Sequence, residues 1–148
     1  MKVRRQILFL GAYNNKIDKK GRLAIPFQYR NQLSDSAVIC RDVYGKSCLC
    51  LYPAEAWEKF TEKVNALPSA VGNRLKRFLY SGSCNVEFDA QGRTLIPAKL
   101  REYATLEGEV AVIGMGERLE LWNANMWSAE DESYAPESIA DIAAKYDL

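Results

Sequence analysis

The sequence contains no histidine. Histidine is the side chain that most often moves protons at neutral pH. Its absence rules out Ser-His-Asp and Cys-His nucleophile arrangements and the histidine-containing zinc sets. The four cysteines, Cys40, Cys48, Cys50 and Cys84, form no C-x-x-C pair. The usual zinc and redox spacings are therefore missing. Cys48 and Cys50 alternate with Leu49 and Leu51. A strand there would put both thiols on one face, packed as small apolar groups. Carboxylate or lysine chemistry has no clustered signature either, so the chain is read as non-enzymatic, with no metal or cofactor.

Long apolar runs are also missing. Nothing approaches the roughly 20 residues of a membrane helix. The basic N-terminal stretch holds an apolar run only over residues 7–10, too short for a signal peptide. The expectation is a cytoplasmic protein with no membrane partner. The 148 residues, 48% hydrophobic and 26% charged, suffice for one domain or two very small fused ones.

A net charge of +1 hides a polarity along the chain. Residues 1–30 hold eight bases (Lys2, Arg4, Arg5, Lys16, Lys19, Lys20, Arg22, Arg30) and one acid, Asp18. Residues 117–148 hold eight acids and two bases. This predicts an electropositive head and an acidic tail.

What the sequence does contain is a duplication. GAYNNKIDKKGRLAIPFQYR (11–30) aligns with GSCNVEFDAQGRTLIPAKLR (82–101) at a constant offset of 71, with eight of twenty positions identical. The shared pattern is D-x-x-G-R-x-x-I-P-x-x-x-R. The match resumes downstream with a one-residue shift, LCLYPAEAWEKF (49–60) against LELWNANMWSAE (119–130). Duplication of a unit of about 50 residues follows. Each unit alone is too small for a robust core, so the copies should pack together.

Each unit reads as strand, turn, strand, short helix, strand, turn, strand. Residues 13–18 and 85–89 are the first strands. Asp18 and Asp89 suit turns because a carboxylate can accept from amides two residues on. Gly21 and Gly92 supply positive φ. Pro26 and Pro97 end the returning strands, lacking an N–H for the ladder, and suit the first turn of a helix. Helices are predicted over 27–33 and 98–104. Strands are predicted over 37–43 and 46–52 around Tyr44-Gly45, and over 110–113 and 118–122 around 114–116. Between the copies, 54–67 and 71–79 carry apolar residues at helical intervals. Residues 133–148 read as a mobile or weakly helical tail.

The doubled D-x-x-G-R-x-x-I-P-x-x-x-R motif, the L-x-L-[YW] run with its later tryptophan and the linker sequence NRLKRFL resemble the bacterial MraZ family. The resemblance covers roughly residues 9–128. It implies an α+β, mainly β fold of two tandem swapped-hairpin units of AbrB-like type, forming a pseudo-twofold β-barrel with short flanking helices. The units would be a first SpoVT-AbrB-like repeat at 9–53, a helical linker at 54–80, a second repeat at 81–128 and a flexible acidic tail at 129–148. It also implies a ring-shaped homo-oligomer in the cytoplasm, associated with the nucleoid. Such a ring binds direct repeats in promoter double-stranded DNA, usually as repressor of the division and cell-wall gene cluster that includes its own gene. The copies depart from one another at the turn, Lys19-Lys20 in the first and Ala90-Gln91 in the second.

The chemistry of the motif agrees with this. Lysines near phosphates supply affinity through counterion release. Arginine can bond guanine O6 and N7 bidentately. Arg22 is the expected base reader, with Lys16, Lys19 and Lys20 on the backbone. Arg93 either reads DNA as well or holds the barrel together. Arg30 and Arg101 either form structural ion pairs or contact DNA. Asp18, Gly21, Pro26, Asp89, Gly92 and Pro97 are expected to be structural, the aspartates fixing the arginine that follows the glycine. The competing reading is a ring-forming protein-interaction scaffold without specific DNA binding.

Overall fold

The computed structural model describes residues 8–33 and 36–148; Lys2, Arg4, Arg5 and Ile7 lie outside that set. The first copy begins with β1 (Ala12–Lys16), a turn and β2 (Arg22–Ala24), then the short helix α1 (Phe27–Arg30). A hairpin follows, β3 (Val38–Arg41) and β4 (Leu49–Tyr52). Two helices link the copies, α2 (Ala54–Asn65) and α3 (Ser69–Ser81). The second copy repeats the order as β5 (Cys84–Asn85), β6 (Arg93–Leu95), α4 (Ala98–Ala104), β7 (Glu109–Gly114) and β8 (Leu119–Asn123). The chain ends in α5 (Ala124–Glu132) and α6 (Pro136–Lys145).

The architecture is mixed α/β with antiparallel sheets. Six strands lie in the order β1-β7-β8-β4-β3-β5, and β2 pairs β6 in a separate two-stranded ribbon. Among the described residues, the strand ladders formed within a copy are the hairpins β3–β4 and β7–β8. The other strand ladders among the described residues cross between copies: β1 with β7, β5 with β3, β4 with β8 and β2 with β6. The halves are interleaved, as expected of units too small to bury their own cores.

The resemblance implied a pseudo-twofold β-barrel; this topology shows no closed one among the described residues. Among the described residues the larger sheet is open, with β1 and β5 at its edges. The ribbon connects to it through single bridges, Ile17 to Leu23 and Phe88 to Thr94. The cause is local. Pro26 and Pro97 follow soon after β2 and β6, so each of these strands is only three residues long and spends its ladder on the other. Other predicted elements come out shorter for similar reasons. The 37–43 and 46–52 strands lose their inner ends because Asp42 Oδ2 accepts the amides of Tyr44 and Lys46, closing the turn.

Side chains alternate with the pleat. Ile39, Leu49, Leu51, Val110, Val112, Leu119 and Leu121 face the main core, joined there by Leu23, Ile25, Ile96 and Leu100 from the ribbon and its helices. Cys40, Cys50 and Tyr52 point to the opposite face, where Val64 of α2 and Leu79 of α3 cover them. Cys48 is buried beside Ala111, Ile113 and Trp122, with Trp127 of α5 against them. The thiols are packed as small apolar groups, and Cys50 Sγ also donates to Asp42 Oδ1 at 3.6 Å. Tyr29 ties α1 to the start of β1, its hydroxyl donating to the carbonyls of Leu10 (2.6 Å) and Gly11 (2.9 Å).

The C-terminal segment, read from sequence as mobile or weakly helical, is mostly helix. Asn123 Oδ1 accepts the amides of Asn125 (3.0 Å) and Met126 (3.1 Å), an N-cap for α5. Pro136 occupies the first turn of α6.

Leu121 is fully buried and stands opposite Leu49 of the other copy. Leu121→Ala is expected to cost about 2–5 kcal/mol. Denaturant unfolding should stay a single transition reported alike by tryptophan fluorescence and circular dichroism. Two separated transitions would contradict a shared core.

Candidate nucleic-acid interface

The two D-x-x-G-R turns are built alike, bond for bond. In the first, the Gly21 amide donates to the Asp18 carbonyl at 3.0 Å, and Asp18 Oδ1 accepts the amides of Lys20 (3.0 Å) and Arg22 (2.9 Å). In the second, the Gly92 amide donates to the Asp89 carbonyl at 3.0 Å, and Asp89 Oδ1 accepts the amides of Gln91 and Arg93, both at 2.9 Å. The free carboxylate oxygen then takes the arginine. Arg22 Nε donates to Asp18 Oδ2 at 2.6 Å, and Arg93 Nε to Asp89 Oδ2 at 2.9 Å. Each aspartate thus closes its turn and aims its guanidinium. Both arginines use Nε for this contact, which in Arg22 leaves the two Nη groups without a hydrogen-bond partner among the described residues.

Pairing of β2 with β6 brings the turns together. Arg22 stands opposite Leu95, and Ala24 opposite Arg93. Directly opposed residues share a face. One face of the ribbon therefore carries Arg22, Ala24, Arg93 and Leu95. The other carries Leu23 and Thr94, both buried. The Arg22 and Arg93 side chains are 36% and 30% exposed, so neither is lost in the interior. Arg93 Nη1 also lies 3.9 Å from Asp18 Oδ2 of the other turn, and Arg93 Nη2 donates to Gln91 Oε1 at 3.3 Å. Lys16, Lys19 and Lys20 are exposed along the first turn and its entering strand. The corresponding tip of the second turn holds Ala90 and Gln91.

Arg30 and Arg101 brace the turns. Arg101 Nε donates to the Ile96 carbonyl at 2.9 Å, and a Cβ on Gly21 would lie 2.6 Å from that Nε and 2.9 Å from that carbonyl oxygen. Arg30 Nε donates to the Ile25 carbonyl at 3.0 Å, and a Cβ on Gly92 would collide with the Arg30 guanidinium. Each arginine crosses to the opposite copy's turn glycine. Both glycines also have positive φ, +91° and +75°, so close approach and backbone conformation demand the same residue. Of the two roles left open by the sequence, ion pairing is not seen for Arg30 or Arg101 among the described residues. Sequence reading missed Leu95, which is 60% exposed beside Arg22. The available signal was the alternation that buries Thr94 and Ile96.

The Arg22 backbone amide, and then its guanidinium, hold the Asp18 carboxyl below its ordinary value; Arg93 does the same for Asp89. A carboxylate lowered in the folded state stabilises it above the unfolded value, near pH 4, and loses that contribution as pH falls through the folded value. The thermal midpoint of the Asp18→Asn/Asp89→Asn double variant should consequently fall less steeply than wild type below about pH 4. Parallel curves for the two proteins would contradict this.

Comparison with known proteins agrees with the duplication. The family model described as "MraZ protein, putative antitoxin-like" matches twice, over residues 8–76 and 79–147. A protein of Heliobacterium modesticaldum named transcriptional regulator MraZ is 41% identical over 145 residues, covering 95% of this chain and 100% of the relative. Proteins with the same name from Halothermothrix orenii and Leuconostoc mesenteroides are 42% and 39% identical, covering 93% and 95% of this chain and 95% and 100% of their own lengths. The tandem turns and these full-length matches lead to one conclusion: the chain belongs to the MraZ family.

Proposed function

We propose that the chain is a transcriptional regulator that binds specific DNA sequences through the β2–β6 ribbon. The observation that carries this reading is the placement of Arg22 and Arg93 on one exposed face of a two-stranded ribbon. A two-stranded ribbon fits the major groove of B-DNA. The Asp18 contact through Nε leaves the Arg22 Nη edge for guanine O6 and N7; Arg93 would exchange its Nη2 contact with Gln91 for a base. Leu95, on the same face, offers an apolar contact for a thymine methyl. Lys16, Lys19 and Lys20 supply phosphate contacts on one flank, and Arg30 and Arg101 add positive charge behind the turns. The printed name of the relatives, transcriptional regulator, supports the same reading.

The crossed pairing of strands supports the swapped-hairpin class of fold expected from the sequence. The operator is then a set of direct repeats upstream of the division and cell-wall genes, the chain's own gene included. The working form is a homo-oligomer, ring-shaped in the family picture, acting in the cytoplasm at the nucleoid. Several copies engaging repeated sites gain by effective concentration what one ribbon lacks in grip.

Anisotropy titrations with a duplex from upstream of the chain's own gene, against a random duplex, test this. Arg22→Ala and Arg93→Ala should each lower discrimination between the duplexes by about 1–3 kcal/mol. Lys19→Ala or Lys20→Ala should weaken binding to both duplexes alike and reduce the salt dependence by roughly one unit of log–log slope. Equal affinity of wild type for both duplexes would overturn sequence-specific regulation and favour the scaffold reading.

A further inference from the structure

The C-terminal helix α6 has an apolar stripe that nothing covers among the described residues. Ile139, Ile142, Ala143 and Tyr146 recur at the i, i+3, i+4, i+7 spacing of one helix face. Ile139, Ile142 and Tyr146 are 49%, 54% and 65% exposed. Within α6 every residue but Ala143 is exposed. A helix of ten residues is shorter than the roughly 12–15 at which isolated helices become even marginally stable in water. Its stability has to come from packing against something.

Among the described residues, its own body does not supply that packing. Glu130 of α5 is held to Lys46 at 3.0 Å and to the Tyr134 hydroxyl at 2.9 Å. The link to α6 is closed by backbone bonds from Ser133 to Glu130, Tyr134 to Asp131 and Ala135 to Ser133. These fix the direction in which α6 leaves, with its stripe in solvent.

A matching surface lies elsewhere on the same chain. A groove of about 460 Å³ is lined by Val43, Val71, Leu75, Phe78 and Tyr103, with Arg74 among them. Asp42 also borders it, but that side chain is only 2% exposed and its carboxylate oxygens are hydrogen bonded. Val71 is 58% exposed, an apolar side chain standing in water beside the groove. Helix α3, which forms one wall, carries Arg74, Lys76 and Arg77 and no acid. The segment 129–148 carries Glu130, Asp131, Glu132, Glu137, Asp141 and Asp147 against one base, Lys145. The acids of α6, Glu137 and Asp141, lie on the face opposite the stripe. Opposite net charge draws the segment toward α3, and the apolar face makes the contact while Glu137 and Asp141 stay in solvent.

We propose that α6 of one copy docks its Ile139–Ile142–Tyr146 face into the α3 groove of a second copy of this chain. This is the helix-in-groove mode of recognition. Helix and groove are different surfaces of the same molecule. The contact is therefore head-to-tail, and it propagates until it closes on itself. The proposal rests on the homo-oligomeric reading under Proposed function and names the surfaces that build the oligomer.

Light scattering coupled to size exclusion tests it. Ile139→Glu/Ile142→Glu alters only exposed side chains of α6, and Val71→Glu alters an exposed groove residue. Each variant alone should run at the mass of one chain, with the circular dichroism of the folded protein. Mixed together, the α6 variant still offers a groove and the Val71 variant still offers a helix. The mixture should give a two-chain species and nothing larger. Wild type running as one chain would overturn the homo-oligomeric reading and this proposal with it. A multimeric wild type whose mass is unchanged by either substitution would overturn this proposal alone. So would a loss of assembly in the α6 variant but not in the Val71 variant, because α6 would then dock on some other surface.

Discussion

The structure depends on one short pairing: three residues of β2 against three residues of β6. Backbone bonds extend it at both ends, Ile25 to the Gly92 carbonyl at 3.3 Å and Ile96 to the Gly21 carbonyl at 2.8 Å. These bonds require each strand to pass close to the other copy's turn. Only glycine leaves room there, because Arg30 and Arg101 fill the space a side chain would need. The same pairing buries Leu23 and Thr94 toward the core and turns Arg22 and Arg93 outward. Core, turn and exposed guanidinium follow from a single register, and slipping it by one residue would bury the arginines and expose Leu23.

Duplication made this arrangement symmetrical, and divergence has since unbalanced it. β1 pairs over five residues with β7, whereas β5 pairs over two with β3. α1 spans four residues and α4 seven. The turn that keeps Lys19 and Lys20 belongs to the copy with the longer edge strand. The backbone bonds of the turns were retained in both copies, as was the aspartate–arginine contact. Under the proposed function, the shared geometry is what a base-reading face would need. On the same proposal, the unshared charge of Lys19 and Lys20 would bias one end of it toward phosphate.

Much of this was legible in the sequence. The repeat could be read from Asp18/Asp89, Gly21/Gly92 and Arg22/Arg93, since turn chemistry is local and leaves its mark on residue type. The proposal that each aspartate fixes its arginine needed only their spacing. The crossed partnership of the strands was not readable from local pattern, because alternation in β4 or β7 says which face is buried and not which strand lies beside it. The bracing by Arg30 and Arg101 was hidden for the same reason: each acts on a glycine in the other copy, more than sixty positions away. The C-terminal segment was read as no more than weakly helical because its Ala-, Ser- and Asp-rich composition outweighed two local signals, the Asn123 cap and Pro136.

The central claim is that the two turns form one DNA-binding face. Hydrogen-exchange mass spectrometry of the intact protein, with and without a duplex from upstream of its own gene, addresses it directly. Peptides spanning residues 18–24 and 89–95 should gain protection together at the same duplex concentration. Protection of one turn without the other, or of the basic helix α3 in place of both, would contradict it.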